Sequence, residues 1–390
     1  MDPSLLLGLE AVETPAIVYV PSDLISAVQA VRQQVSAAGA HLLYSVKAQS
    51  FYGILEVLAR HVEGFSASSV FEACLSREIL GTAGTVHLTQ PGIPPIAFSE
   101  IARHCDYVAA NSFAQLDGFL PFAGPSLSPG IRINLELNFV SDDRHAPCRA
   151  HSKLGLPLGE LCRALASGSC RLKQIEGIHF HHNCESNDLE ELFLATEHVV
   201  QHCGGLMPQL RWVNFGGGYL LPDALNAHRL ADAVGLIRSS GVEKVFIEPG
   251  FCLVERFVYL VATVLDIVDH GDGKVAILDT TTNHMPEVYA YQRPPAVYGA
   301  SVEGGHAYTL AGASCLAGDL FGVYRFEAPL RVGNRVVFER AGAYTSVKAS
   351  MFNGISLPTV YAFDEGRAIC QRRYGYRDFV DVFAGKHRED

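Results

Sequence analysis

The run Leu42-Leu43-Tyr44-Ser45-Val46-Lys47-Ala48 is apolar almost to its end and then delivers a lysine. It reads as a strand buried on both faces, the kind found in parallel sheets. Similar short, β-rich runs follow at 63–67, 85–90, 107–111, 130–135, 174–180, 211–215 and 244–248, which makes eight in all. Longer amphipathic stretches such as 54–61, 72–80, 189–203 and 230–239 lie between them. Strands alternating with helices indicate βα units, and eight such strands close a (β/α)8 barrel. The expected fold is therefore α/β, a TIM barrel followed by something else. After residue 251 the texture changes to strand-like runs punctuated by glycine, at 257–268, 274–279, 320–326 and 335–338. We assign residues 22–255 to the barrel and residues 1–21 together with 256–390 to a β domain, although the early strand-like run 16–20 precedes the first βα unit and by sequence could join either.

The chain has 390 residues, 48% of them hydrophobic and 18% charged, which is the profile of an ordered protein with room for a buried site. Its formal net charge of −11 argues against a nucleic-acid surface. No stretch approaches a membrane span, and Met1-Asp2-Pro3-Ser4 lacks a basic leader, so the expected location is the cytoplasm. The 10 cysteines contain no C-x-x-C pair, which points away from zinc ribbons and dithiol redox motifs.

In barrels of this type chemistry collects where the strands end. The first strand ends at Lys47, and a lysine desolvated by apolar neighbours has the lowered pKa that Schiff-base formation needs. A rim lysine that snorkels to water is the plain alternative. The sixth strand ends Ile178-His179-Phe180-His181-His182-Asn183, a cluster that suits either a metal or ordinary core hydrogen bonds. Gly216-Gly217-Gly218 follows the seventh strand, where exposed backbone N–H groups would cradle a phosphate if they are more than a flexible turn. The eighth strand ends Glu248-Pro249-Gly250, and a carboxylate there either holds a pyridine nitrogen protonated or forms a structural ion pair. Lysine, histidine, glycine loop and glutamate together make one pyridoxal-phosphate site more economical than four coincidences.

In these residues the chain resembles the fold-type III pyridoxal-phosphate enzymes, the alanine racemase/ornithine decarboxylase fold, and most closely the carboxynorspermidine/carboxyspermidine decarboxylases. The resemblance spans nearly the whole chain. It rests on Ser45-Val46-Lys47-Ala48, His179-Phe180-His181 with Cys184-Glu185, Phe215-Gly216-Gly217-Gly218, Glu248-Pro249-Gly250 and His284-Met285-Pro286-Glu287. Further along it rests on Gly312-Ala313-Ser314-Cys315-Leu316-Ala317-Gly318-Asp319, Gly342-Ala343-Tyr344-Thr345 and Phe352-Asn353-Gly354. The resemblance implies a decarboxylase in which Lys47 carries pyridoxal 5'-phosphate, His181 stacks on its ring and Glu248 binds its nitrogen. Gly216, Gly217, Gly218, Gly250 and the Tyr344 hydroxyl would hold the cofactor, and Cys315 would return a proton after carbon dioxide leaves. Asp279, His284, Glu287 and Asp319 would meet the substrate, an amino acid bearing a polyamine-like chain. It also implies a homodimer with shared sites, the Cys315 loop of one subunit lying over Lys47 of the other. No metal is called for.

Two stretches depart from the family's usual run, Asp279-Thr280-Thr281-Thr282-Asn283-His284 and His181-His182-Asn183, and both bear on which aminocarboxylate is the substrate. Relatives of this branch act on intermediates of siderophore and peptide-antibiotic pathways. A racemase of this fold would carry arginine at the pyridine nitrogen and tyrosine as second acid/base, where this chain has Glu248 and Cys315. A non-catalytic carrier of the cofactor would be a bare barrel without the β domain. The reading furthest away is a metal-dependent barrel hydrolase built on His179, His181 and His182.

Overall fold

Eight apolar runs become eight strands because each is buried on both faces. In the computed structural model, which describes residues 1–140 and 146–383, they are His41–Ser45, Gly64–Ala67, Thr85–Leu88, Tyr107–Ala110, Ser128–Asn134, Gly177–Phe180, Trp212–Asn214 and Lys244–Ile247. All pair in parallel with their neighbours in chain order. The last then meets the first, Phe246 opposite His41 and Ile247 opposite Leu42, and the barrel is closed. A two-residue strand, Leu156–Pro157, hangs off the fifth. Several strands stop before the apolar runs do. Val46–Ala48, for example, is a turn of 3-10 helix, so Lys47 stands just beyond its strand.

The helices between strands follow ordinary start signals. Val70–Leu80 begins after Ser69, whose Oγ accepts from the Glu72 N–H at 3.2 Å, while a Glu72 carboxylate oxygen accepts from Ser68 N–H at 2.6 Å. Near the strand starts the barrel is filled by aromatics. His87 stacks on Tyr107 with ring centroids 4.4 Å apart, and Phe246 and Trp212 pack edge-on to Tyr107. Gly130 and Gly177 make the room: a Cβ on Gly177 would lie 2.0 Å from the Trp212 ring, and one on Gly130 2.5 Å from it. The indole N–H donates to Ser128 Oγ at 2.9 Å.

These strands and their helices belong to one compact unit, Ile25–Leu253; Met1–Leu24 and Val254–Asp390 form the second. The N-terminal strand Ala16–Tyr19 lies inside the second unit's eight-stranded sheet, antiparallel to Val258–Asp269 and parallel to Thr359–Asp364. Val258–Asp269 is the organising strand, because its two halves pair with different partners, Arg335–Phe338 and Lys274–Leu278. The sheet continues through His306–Ala311 to Leu320–Phe326 on one side and ends at Arg367–Arg372 on the other. Val18, Tyr259, Val261, Val337 and Tyr361 form its core. Among the described residues no helix is long and apolar enough to cross a membrane.

Candidate active site

Backbone contacts draw the strand ends of the barrel into one place. Ser45 N–H donates to Pro249 O at 3.1 Å, and Glu248 N–H donates to Gly216 O at 2.9 Å. The turns carrying Lys47, the glycine triplet and Glu248 are thereby tied together.

Glu248 is buried at 5% exposure, and both its oxygens are engaged. Oε1 accepts from His179 Nε2 at 2.9 Å and Oε2 from Asn214 Nδ2 at 3.1 Å. Burial alone would raise the carboxyl's pKa, but the hydrogen bond from His179 and the nearby Lys47 cation outweigh it and hold Glu248 below the usual carboxylate range. Burial also pushes the His179 imidazole down, against the pull of Glu248. The arrangement we stand behind is an ionised carboxylate facing a neutral imidazole that donates from Nε2, because Asn214 donates to the second oxygen and Lys47 and Arg132 lie within electrostatic reach.

Lys47 has solvent access at the barrel mouth, yet the protein gathered around it lowers its pKa below the usual lysine value. Burial is the leading cause, the attraction of Glu248 opposes it, and Arg132 adds to it. His181 is held neutral by burial and by the neighbouring cations Lys47 and Arg132. Its Nδ1 accepts from Gly217 N–H at 3.1 Å, which leaves Nε2 as the nitrogen bearing hydrogen.

The glycine triplet differs from expectation in an instructive way. We expected three free N–H groups, but Gly216 N–H donates to Asn214 Oδ1 at 2.8 Å and Gly217 N–H to His181 Nδ1. These two glycines position side chains, and only Gly218 is without such an internal bond among the contacts described. All three are needed for close approach: a Cβ would lie 2.6 Å from His181 Cβ at Gly216, 2.4 Å from Glu248 O at Gly217 and 2.2 Å from Asn183 O at Gly218. Gly216 and Gly218 also have φ of 67° and 90°. Gly250 is tight as well, its missing Cβ 2.9 Å from Ala48 Cβ.

The three histidines do not serve one metal. His179 holds Glu248, His181 meets the glycine loop, and His182 is buried beside Tyr219 and Phe139 with its pKa pushed down to about 3 by burial. Among the described residues the grouping with metal-like spacing is Cys74, Glu100 and His104, which includes none of them. Two residues that we did not single out from the sequence belong to this site. Asn214 clamps both Glu248 and Gly216, and Arg132 is a buried guanidinium on the fifth strand. Arginine inside Ile131-Arg132-Ile133 was a legible signal, since arginine is rarely buried without a purpose.

In the second unit the remaining expected residues fall into two groups. Cys315 is exposed at the tip of a loop, its N–H donating to Asn353 Oδ1 at 2.8 Å. Asp319, only 2% exposed, braces that loop: Oδ1 accepts from Thr282 N–H and Oγ1 at 2.7 and 2.8 Å, and Oδ2 from Ser314 N–H and Oγ at 3.1 and 2.5 Å. Its oxygens thus accept four hydrogen bonds from the protein. Asp279 accepts at Oδ1 from Thr263 N–H at 2.8 Å and joins two sheet strands. His284 is buried, bonded to Thr280 Oγ1 at 2.9 Å, with burial pushing its pKa down to about 4. Glu287 and Tyr344 remain half-exposed.

A family model described as "Pyridoxal-dependent decarboxylase, C-terminal sheet domain" matches residues 43–342. This chain belongs to the pyridoxal-dependent decarboxylases. The decarboxylase is 28% identical over 371 residues to the carboxynorspermidine/carboxyspermidine decarboxylase of Herminiimonas arsenicoxydans, covering 95% of this chain and 99% of the relative. It is 31% identical over 352 residues to the carboxyaminopropylagmatine decarboxylase of Synechocystis, with 88% of each chain covered. The crystal structure of carboxynorspermidine decarboxylase from Campylobacter jejuni complexed with norspermidine superposes with a TM-score of 0.85 at 28% identity, covering 95% of this chain and 100% of that one.

The residues of the barrel fit pyridoxal phosphate on their own geometry. A lysine of lowered pKa, a carboxylate held ionised and a turn that any Cβ would block are the donor set its aldehyde, ring nitrogen and phosphate require.

Proposed function

We propose that the enzyme decarboxylates an amino acid whose side chain is a polyamine, carboxynorspermidine or carboxyspermidine. The observation that supports the reaction best is Glu248, a buried carboxylate kept ionised by two donors and facing a lysine of lowered pKa. The similarity to two decarboxylases named for carboxylated polyamines supports the substrate. The wider alternative is another aminocarboxylate of the same reaction class.

When bound, pyridoxal phosphate supplies the electron sink that accepts the pair left as carbon dioxide departs. Lys47 would anchor the cofactor's aldehyde, and burial, by lowering its pKa, favours the free amine that this requires. Glu248 would hold a proton at the ring nitrogen, and neutral His181 would contact the ring. Gly218, with the backbone at Gly250 and the Tyr344 hydroxyl, would bind the phosphate, while Gly216 and Gly217 keep Asn214 and His181 in place. Cys315 delivers a proton to the substrate carbon that has lost its carboxylate.

The test is purified enzyme incubated with carboxynorspermidine, carboxyspermidine, ornithine, lysine and diaminopimelate while carbon dioxide is measured. Borohydride reduction and peptide mapping follow on the same protein. Turnover of the polyamine carboxylates with the pyridoxyl group on Lys47 is expected. Preference for diaminopimelate, or a label on another lysine, would overturn the corresponding assignment.

We also propose a homodimer in which Cys315 serves the partner's Lys47 site. Mixing inactive Lys47→Ala and Cys315→Ala subunits then restores about a quarter of wild-type activity, because about half the dimers are mixed and each has one intact site of two. No recovery in heterodimers verified by native mass spectrometry would reject it.

A further inference from the structure

Between the helices Val70–Leu80 and Phe98–His104 of the barrel unit a thiol, a carboxylate and an imidazole come together. Cys74, Glu100 and His104 each offer one ligand atom, and the three atoms lie within 4.8 Å of one another. The spacing is built into the two helices. Glu100 and His104 are four residues apart and share a face, with His104 Nε2 2.9 Å from Glu100 Oε1. Cys74 lies three residues before Arg77 on the other helix, so these two share a face as well. Arg77 then fixes the second helix to the first: its Nε donates to His104 O at 3.1 Å, and a terminal nitrogen donates to Asp106 Oδ2 at 2.5 Å. The trio is thereby held in register by bonds that use none of its own side chains.

The imidazole is short of a partner. Nδ1 of His104 is buried and finds none among the described residues, a state that buried polar atoms rarely keep. Arg103 pairs with the other Glu100 oxygen, Oε2, but its side chain is 68% exposed and can retreat into water. Burial, with Glu100 adding to it, raises the Cys74 pKa and keeps the group a thiol, so a reactive cysteine is the poorer reading of it. The donor set names the ion instead. Calcium and magnesium take oxygen ligands, whereas sulfur and imidazole nitrogen select zinc and ions like it. A thiolate and a carboxylate carry two negative charges, which match one divalent cation.

We propose that Cys74, Glu100 and His104 form a binding site for a zinc-type divalent cation that clasps the helix Val70–Leu80 to the helix Phe98–His104. On binding, the S–H bond of Cys74 breaks, its proton passes to solvent, and the sulfur's electron pair goes to the metal. Zinc bonds of about 2.0–2.3 Å set tetrahedral ligand atoms about 3.3–3.8 Å apart, so side-chain adjustments of about 1 Å close the trio around an ion. All three side chains are partly exposed, and water completes the fourth position.

Cobalt(II) is the first probe, because a four-coordinate cobalt bound to sulfur absorbs in the visible at wavelengths longer than those of the cofactor. Holoenzyme cleared of stray metal by a chelator should show this band on taking up one equivalent of cobalt. Cys74→Ala and His104→Gln should lose it or bind at least about 100-fold more weakly. Metal held at Cys315 or at the cofactor is common to all three proteins and cancels in the comparison. In a second measurement zinc should slow alkylation of Cys74 by iodoacetamide, followed by peptide mass spectrometry, at least about tenfold, while the exposed Cys170 and Cys370 react as before. In His104→Gln, which keeps the thiol, that protection should vanish. No cobalt band in the wild type, a band that survives in the variants, or zinc protection undiminished in His104→Gln overturns the site. Should Cys74→Ala fold poorly, His104→Gln still decides both measurements.

Discussion

Replacing Glu248 by glutamine changes one atom in a place where no rearrangement absorbs it. The carboxylate accepts on both oxygens, from His179 Nε2 and Asn214 Nδ2, whereas an amide offers one acceptor and one donor. Turned with its NH2 toward Asn214, the amide sets donor against donor. Asn214 has no way to flip in answer, because its Oδ1 holds the Gly216 N–H. Turned toward His179, the NH2 requires a lone pair at Nε2, which moves the imidazole proton to Nδ1, a buried atom with no partner among the described residues. Either way one buried donor goes unsatisfied, at a cost of about 1–3 kcal/mol. Losing the charge that keeps the ring nitrogen protonated should in addition lower kcat by about 10²–10³-fold, the scale found when one preorganised electrostatic partner of a reacting group is removed. Urea unfolding followed by far-UV circular dichroism, and turnover at saturating cofactor, give the two numbers. A variant with wild-type midpoint and wild-type kcat would refute both the hydrogen-bond inventory and the role assigned to Glu248; lost stability with full turnover would refute the role alone.

Asp319→Ala removes the acceptor that gathers Thr282 and Ser314, so the Cys315 loop should lose its position and kcat should fall roughly ten- to hundredfold with secondary structure intact; full turnover would sink the bracing argument. Gly217→Ala would place a Cβ 2.4 Å from Glu248 O, and the forced backbone shift should cost about 1–3 kcal/mol in urea unfolding, so a chain of unchanged stability would show that the turn yields freely. The buried imidazole of His182 has its pKa pushed down to about 3 by burial. As pH falls below the unfolded value near 6.5, the unfolded chain binds a proton that the folded chain refuses, so stability present above that pH is lost on acidification. Between pH 6.5 and 5, wild type should therefore lose about 1.5–2 kcal/mol more than His182→Leu, and equal losses in the two proteins would contradict a neutral buried His182.

The barrel was legible because strands buried on both faces must be apolar on both, and a run such as 42–46 shows this without knowledge of its neighbours. Lys47 and Glu248 were legible for the same reason, as charges placed at the ends of such runs. What the glycines do was not. That Gly216 and Gly217 serve Asn214 and His181 depends on which turns lie side by side, a fact of barrel closure rather than of local pattern. The bracing by Asp319 was not legible either, since its partners Thr282 and Ser314 come from different loops and only the folded sheet brings them to one carboxylate. The strand Arg367–Arg372 escaped notice because it is a sheet edge with mostly exposed residues, and Arg-Ala-Ile-Cys-Gln-Arg carries no clear alternation.

The aromatic packing near the strand starts gives the molecule an optical handle. Trp212 is the sole tryptophan in the chain, and it sits 2% exposed in the barrel, with its N–H fixed on Ser128. Light absorbed at the red edge of the protein band excites this indole and no tyrosine, so emission comes from the barrel alone and the sheet unit stays dark. A blue-shifted spectrum marks a closed barrel, and its shift to the red times the moment water reaches the wall formed by Gly130 and Gly177, whatever the second unit is doing.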